Sequence, residues 1–447
     1  MTTLGGLEQV PLESLSVRHL VELTCQQGDL YSAVDGRATP EEGLLCQRQV
    51  QQREPAGYEC EIPFDRLFVV LGTRLRVRGR ADGRNLSRSP PLLDEVKASR
   101  ADPIQLETTR GHLHWAQLRL YAGLQALELP ACERFELRLR YVHPDTGAEH
   151  RSVRSESRDS LLLFLMARLR EYGSALATLW RRRRARDAQL ATFAFPLSAF
   201  RPNQRVLSAR TYQTLISGAS LLLEASTGMG KSIGVLYPAA RAFGPGPAQR
   251  YFYLTARRTG ALAAVRALQQ LNDGGAPVRW VQIQSKARWC QRDGEACIGA
   301  ECPNALGYFD RIHSALAELE PVLAIDAQTI EQVAQRHQLC PFELSLDIAR
   351  SADIVIADYN YVFDPDVRLQ RFADGNDIGL LIDEAHQLVP RTLAALGATL
   401  DQELLRAARQ QAGSGPLRKR LDSVRRAFAK AVRAGAETEL NLSLIHI

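Results

Sequence analysis

Several groups of residues in this 447-residue chain have the types and spacing needed for chemistry. One is Ala225-Ser226-Thr227-Gly228-Met229-Gly230-Lys231-Ser232. Gly228 and Gly230 permit a tight turn whose N–H groups surround an anion. Lys231 can reach the β- and γ-phosphates of a nucleotide, and the Ser232 hydroxyl can ligate Mg²⁺. The apolar run Leu221, Leu222, Leu223 predicts a buried parallel strand before the turn, and residues 233–242 predict a helix after it. A second group is Leu380-Leu381-Ile382 followed by Asp383-Glu384-Ala385-His386. Asp383 at the end of an apolar strand can hold Mg²⁺ through water, and Glu384 can activate an attacking water.

A third group lies far upstream. Asp82 falls at the end of a predicted strand, and Glu95-Val96-Lys97 ends the next one, with alternation placing Glu95 and Lys97 on one face. Gln117 and Tyr121 are four apart and share a helix face. Two carboxylates from neighbouring strands can hold Mg²⁺ or Mn²⁺ through oxygen, and a lysine beside them can position or polarise water. The last group is Cys290, Cys297, Cys302 and Cys340. Four thiolates can hold an iron–sulfur cluster or a structural zinc. The first three are separated by six and four residues, unlike the CxxC pairs of zinc ribbons.

The elements that must position these groups are legible in outline. Helices are expected over 14–26, 41–53, 112–127 and 160–188, and strands over 67–71, 74–81, 92–96 and 135–141, the last half-buried by its alternation. Residues 143–147 predict a hairpin turn, and residues 251–255 and 353–358 predict further buried strands. The run Arg181 to Arg184 with Arg186 reads as a solvated face or linker, or as a phosphate contact. Cys25, Cys46, Cys60 and Cys132 read as small buried residues.

Composition bounds the class. Length suggests two to three domains, and a hydrophobic share of 45% supports ordinary cores. No apolar run is long enough to cross a membrane, and the N-terminus has no basic segment followed by an apolar one, so a cytoplasmic protein is expected. The net charge of +6 permits a polyanionic partner. Only five lysines occur, Lys97, Lys231, Lys286, Lys419 and Lys430, so Lys97 and Lys231 keep a compact ammonium in a chain that otherwise uses arginine.

The upstream group resembles the RecB-type PD-(D/E)xK nucleases, which carry an Asp, a Glu-x-Lys and a Gln-x-x-x-Tyr helix in this order. The resemblance implies Asp82 and Glu95 as ligands of Mg²⁺ or Mn²⁺, Lys97 as catalytic lysine, and Gln117 and Tyr121 as the motif helix. Many relatives have His four residues after a Gly on an early helix; here Gly43 is followed by Gln47, and a neutral amide is a poor ligand for a divalent metal. Glu22 on the first helix is a further candidate ligand. Two expectations follow, metal-dependent cleavage of DNA and DNA binding without cleavage.

The downstream groups resemble the Rad3/XPD and DinG helicases of superfamily 2. The shared residues are the GMGKS turn, the four cysteines, Cys340-Pro341-Phe342-Glu343, Asp358-Tyr359-Asn360-Tyr361 and the DEAH stretch Asp383 to His386. That family implies ATP-driven, 5′-to-3′ unwinding of single-stranded or forked DNA and a [4Fe–4S] cluster on the four cysteines. It also implies adenine recognition by Arg201 and Gln204, and Thr255 against a DNA backbone. The expected fold is α/β: a nuclease-like domain over 1–195, then a RecA-like motor over 196–284 and 346–392. An iron–sulfur insertion over 285–345 interrupts the motor, and a helical arch starts over 393–441. Leu442 to Ile447, LSLIHI, is what a common transposon adapter encodes, so residues 442–447 read as a sequencing-adapter artefact on a truncated gene. A zinc-binding adaptor is the expectation from a different class.

Overall fold

The computed structural model describes residues 12–30, 38–226, 228–290, 297, 301–365, 367–369, 377–397, 401–413 and 415–433. Thr227 and residues 442–447 lie outside them. The chain divides into two compact units, residues 1–358 with 372–383, and residues 359–371 with 384–447.

The first unit opens on β1 (Leu12–Ser16) and α1 (Val17–Thr24). The helix expected from residue 14 therefore starts later, because residues 14–16 pair in parallel with a strand and Ser16 caps the helix by accepting from the His19 N–H at 3.0 Å. A capping box of Thr39 and Glu42, with Pro40 at the first position, starts α2 (Pro40–Gln51). Next come β2 (Tyr58–Val70), β3 (Thr73–Asn85), β4 (Leu92–Ala98), α3 (Pro103–Glu128), β5 (Arg134–Val142), β6 (Glu149–Ser157) and α4 (Arg158–Leu190). The sheet order is β1-β3-β4-β5-β6, with β2 also paired to β3. Asp82 thus lies inside β3 rather than at its end.

β5 is buried on both faces, not half-buried as its alternation suggested. Its charged face turns inward because partners wait there. Arg140 reaches Asp94 at 2.6 Å and Glu54 at 2.5 Å, and Arg138 reaches both at 2.8 Å. Tyr58 adds a hydrogen bond to Asp94 at 2.8 Å. Cys46 is buried, whereas Cys60 is exposed on β2, contrary to expectation.

The same unit continues with α5 (Gln204–Ser217), α6 (Lys231–Arg241), β7 (Arg250–Leu254), α7 (Arg258–Asp273), β8 (Trp280–Gln282) and α8 (Lys286–Trp289). Then follow α9 (Tyr308–Leu319), β9 (Ala324–Ile325), α10 (Ala327–His337), α11 (Pro341–Ala349), β10 (Ile354–Ala357) and β11 (Ile378–Ile382). These strands form an all-parallel sheet, β11-β7-β10-β8-β9, whose inner strands are mostly apolar, β10 wholly so, as in sheets covered by helices on both faces. The expected strand at 221–223 is a correction: the segment joins no sheet, and Leu221, Leu222 and Leu223 are 45%, 87% and 40% exposed. An apolar run marks a wish for burial, but three residues do not select a pairing edge.

α4 joins the two sheets. Leu161, Leu165 and Leu169 pack into the first core, and Leu190, at its other end, into the second. The arginine run sits near that far end, and helical periodicity splits it. Arg182, Arg183 and Arg186 face the second sheet: Arg182 donates to the Ser351 carbonyl, and Arg186 pairs with Asp353 at 2.5 Å, both side chains being 1% exposed. The Arg186 guanidinium also lies 3.8 Å from the Phe243 ring centroid. The run is therefore not a linker. Arg181 and Arg184 point the other way and are exposed.

The second unit is helical in its described residues: α12 (Asn360–Phe363), a 3₁₀ turn (Ala385–Gln387), α13 (Leu388–Leu396), α14 (Gln402–Gln411) and α15 (Pro416–Arg433).

Removing one partner of a buried ion pair strands the other charge. Arg186→Leu is expected to lower stability by about 3–5 kcal/mol, while Arg181→Ala leaves it essentially unchanged. Chemical denaturation of the two variants checks this.

Candidate functional site

The glycine turn ends at Gly230, which caps α6 with φ of 79°, so Lys231 is the first helical residue and its neighbours present free N–H groups at a helix N-terminus. Arg201 and Gln204 hold the turn in shape. The Arg201 Nη1 donates to the Gly228 carbonyl at 2.7 Å, and the Gln204 Nε2 donates to the Gly230 carbonyl at 2.9 Å. The Gln204 Oε1 accepts from the Arg201 N–H at 3.0 Å, so both ends of this fully buried amide are engaged by the protein. A Cβ at Gly230 would come within 2.4 Å of the Gln204 Nε2, a second reason, beside its positive φ, for glycine there. Met229 and Ser232 flank the same corner.

Asp383 follows β11, and its N–H donates to the Leu254 carbonyl at 2.9 Å, which extends the parallel ladder by one residue. The Thr255 hydroxyl is turned toward the Asp383 Oδ2 at 3.5 Å and is 5% exposed. Gly260 leaves room for this approach: a Cβ there would lie 2.2 Å from the Thr255 hydroxyl and 2.7 Å from Asp383. In the second unit Glu384 adopts φ of 54°, a conformation costly to a residue with a side chain. Its carboxylate lies 3.5 Å from the His386 Nδ1, and His386 is largely exposed.

The upstream group converges. The Lys97 Nζ lies 2.6 Å from the Glu95 Oε1, and Gln117 bridges the two, donating to Glu95 at 2.8 Å and accepting from Lys97 at 3.2 Å. Glu95 is 1% exposed, and its Oε2 has no hydrogen-bond partner among the described residues. Asp82 accepts from the Val96 N–H at 2.7 Å and from the Gln47 Nε2 at 3.1 Å. Burial, then the charge of Glu95, push Asp82 up to about 8, and burial pushes Glu95 up as well, against the pull of Lys97. The Tyr121 hydroxyl accepts from the Arg80 N–H at 3.2 Å, closing the side of the site beyond Gln117. Glu22 instead pairs with Arg18 at 2.9 Å on an exposed face.

Glu61 escaped the sequence reading. It sits at φ of 55°, where the β2–β3 ladder skips a pair opposite Asp82, and accepts from Gln47 at 2.5 Å and from Arg80 at 3.0 Å. The skip turns it out of the strand's alternation, so no periodicity could have flagged it.

The cysteines lie on loops and helix ends. The Lys286 ammonium is 3.1 Å from the Cys297 Sγ and feels the charges of Cys290 and Cys340 too. Cys340 caps α11, and burial pushes its thiol up to about 11. Cys302 starts a turn whose continuation, residues 305–310, exchanges hydrogen bonds with residues 28–30 after α1, including Leu30 N–H to the Ala305 carbonyl at 2.9 Å. Among the described residues no three of His, Cys, Asp or Glu stand in a metal-ligating arrangement.

A glycine turn opening a helix and an acidic residue at a strand end of a parallel sheet belong to an α/β fold. Residues 265–405 match the model of the DEAD_2 family. The helicase subunit XPD of the general transcription and DNA repair factor IIH from Dictyostelium discoideum is 22% identical over 241 residues, 47% of this chain and 31% of that protein. A regulator of telomere elongation helicase 1 homolog from Caenorhabditis elegans is 24% identical over 112 residues, 24% of this chain and 11% of that one. Thus the chain spans about a tenth to a third of the length of these curated relatives. Among solved structures, one titled XPD_Helicase aligns at a TM-score of 0.36 and 17% identity, covering 52% of this chain and 41% of that one. Truncated XPD aligns at 0.34 and 16%, covering 50% and 64%. No helix among the described residues is long and apolar enough to cross a membrane.

His114 on α3 shares a 2.9 Å hydrogen bond with the Tyr141 hydroxyl. Burial, then the charge of Lys97, hold it down at about 3. The unfolded chain, with an ordinary imidazole near 6.5, binds the proton more readily. Stability from this neutral histidine is complete above that value and is lost as pH falls toward 3. A His114→Gln variant is expected to give a flatter melting-temperature profile than wild type between pH 6.5 and 4, measured by thermal denaturation.

Proposed function

We propose that this chain belongs to an ATP-dependent DNA helicase of the XPD/Rad3 type, working 5′-to-3′ in DNA repair or processing, with a nuclease-like domain in front of its first motor domain. The DEAD_2 match over 265–405, which contains Cys290 through His386, carries the helicase reading. The braced glycine turn supports it. Arg201 and Gln204 tie down the carbonyls of Gly228 and Gly230, so the turn's N–H groups are turned to the side where phosphates would sit, and Lys231 opens the helix that follows. Ser232 and Asp383 would hold Mg²⁺, and Glu384 would orient the attacking water.

Cys290, Cys297, Cys302 and Cys340 are assigned to a [4Fe–4S] cluster. The Lys286 ammonium lies 3.1 Å from the Cys297 Sγ, and four sulfur ligands form a soft-metal donor set. The upstream site suits Mg²⁺ or Mn²⁺: two crowded carboxylates, both with raised pKa values, and an orphaned buried Glu95 oxygen are relieved by a cation. When bound, such an ion supplies Lewis-acid polarisation of a phosphodiester. Lys97, held between Glu95 and Gln117, would position the attacking water.

A second reading of the upstream domain, DNA binding without cleavage, is favoured by Gln47. Its amide donates to both Asp82 and Glu61, occupying oxygens that a metal would use.

In the intact protein, Lys231→Ala is expected to cut DNA-stimulated ATP hydrolysis by more than about 100-fold while leaving nuclease activity. In the same background Lys97→Ala is expected to cut Mn²⁺-dependent cleavage by about 100-fold or more and to spare ATP hydrolysis. Cleavage equal in wild type and Lys97→Ala would select the binding-only reading. Metal analysis of anaerobically purified protein should return about four irons per chain; one zinc and no iron would remove the cluster.

A further inference from the structure

The arginine run that joins the two sheets has a second face that the proposed activities do not use. Where the β2–β3 turn meets α4 there is an open cleft of about 400 Å³, lined by Leu71, Gly72 and Thr73 on one side and by Ala177, Trp180, Arg181 and Arg184 on the other. The volume lies within the range of ligand-sized pockets. Its floor is well made. The Thr73 hydroxyl donates to the Val70 carbonyl at 2.6 Å and closes the turn, and the indole of Trp180 rests on the first core with part of its ring exposed.

The charge of this cleft is uncompensated. No carboxylate is among its lining residues. Arg184 has no hydrogen bond or ion pair among the described residues, and Arg181 bonds only to Thr178 of its own helix, at 3.2 Å. The acids of α4 nearest in sequence are taken elsewhere: Glu171 by Arg168 at 2.8 Å, and Asp187 by Arg186 at 2.8 Å. Two guanidiniums one helical turn apart with no carboxylate partner, beside a partly buried indole, match a chain of phosphates carrying flat bases.

We propose that this cleft is a contact site for single-stranded DNA, with Arg181 and Arg184 on phosphates and a base stacked on Trp180. The proposal rests on DNA being the substrate of this protein. It adds a contact outside the nucleotide turn and outside the carboxylate site, on the helix that both cores share.

The test is equilibrium binding of fluorescent oligo(dT) to the intact protein across a salt series, for wild type and for an Arg181→Ala/Arg184→Ala double variant. Loss of two phosphate contacts should lower affinity about tenfold at low salt and reduce the slope of log K against log salt by about 1.4. An Arg181→Lys/Arg184→Lys variant should recover the slope, and the melting temperatures of all three proteins should agree. Wild-type binding with an unchanged affinity and slope in the double variant would overturn the cleft alone. Failure of wild type to bind any oligonucleotide would overturn the DNA reading and the cleft with it. Poly-glutamate competing as strongly as oligo(dT) would mark the site as one for acidic protein and overturn the nucleic-acid assignment.

Discussion

The Arg186–Asp353 pair is the constraint on which the two-sheet arrangement depends. Asp353 stands immediately before β10, at the centre of the parallel sheet, and also accepts from the Arg279 N–H at 2.9 Å. A carboxylate left unpaired in that interior would be costly, and a guanidinium is delivered to this one. The guanidinium comes from a helix whose first half is cemented into the other sheet. An Arg in this place does more than a Lys could: one Nη reaches Asp353, the Nε and the other Nη reach Asp187, and the planar face lies on Phe243. A 33-residue helix clamped at both ends cannot act as a flexible linker. The two candidate sites are thus carried on sheets joined by one stiff element.

Both sites follow a common physical pattern in which side chains from outside a motif fix the motif's backbone or charges. The glycine turn does not hold its own shape, since its residues are those with the most conformational freedom. Arg201 and Gln204 reach back across the intervening helix to anchor two of its carbonyls. At the carboxylate site, Glu95 belongs to a strand, but Gln117 from α3 sets the distance between it and Lys97. On the opposite face of β4 the Asp94 network with Arg138, Arg140 and Glu54 holds the strand in register. Consecutive acids on one strand therefore serve two ends, one structural and one chemical, divided by the period of two.

What the sequence disclosed, and what it withheld, divides along the range of the interactions involved. Motifs whose members are close in sequence, the turn before Lys231 and the Glu95–Lys97 pair, were readable because spacing within a strand or helix fixes geometry directly. So was α4, to within two residues at each end, whereas α3 starts nine residues before the expected 112, at Pro103 behind the Asp102 cap. The two-sided burial of β5 was not, because Arg138 and Arg140 look like solvent residues until Asp94 and Glu54 arrive from elsewhere. The arginine run misled for the same reason: whether an arginine is a surface charge or a buried tie depends on Asp353, 167 residues away. The apolar run 221–223 failed in the opposite sense, since apolar character cannot name a pairing edge.

The carboxylate site shows how a short polar side chain can set the chemistry of its neighbours. Asp82, Glu95 and Glu61 bring three acids near one another, with Lys97 and Arg80 as the cations that face them. Gln47 stands between Asp82 and Glu61, donating to each. A neutral donor in that place lowers the repulsion between the two acids without adding charge, so it partly does what a cation would do. The raised pKa of Asp82 shows that this relief is incomplete, because burial and the unscreened charge of Glu95 outweigh the hydrogen bonds it receives. A cation that entered would have to draw Asp82 away from Gln47 while gaining the idle oxygen of Glu95. The balance between that cost and that gain, one hydrogen bond lost and one buried orphan satisfied, decides whether a cation would be held there.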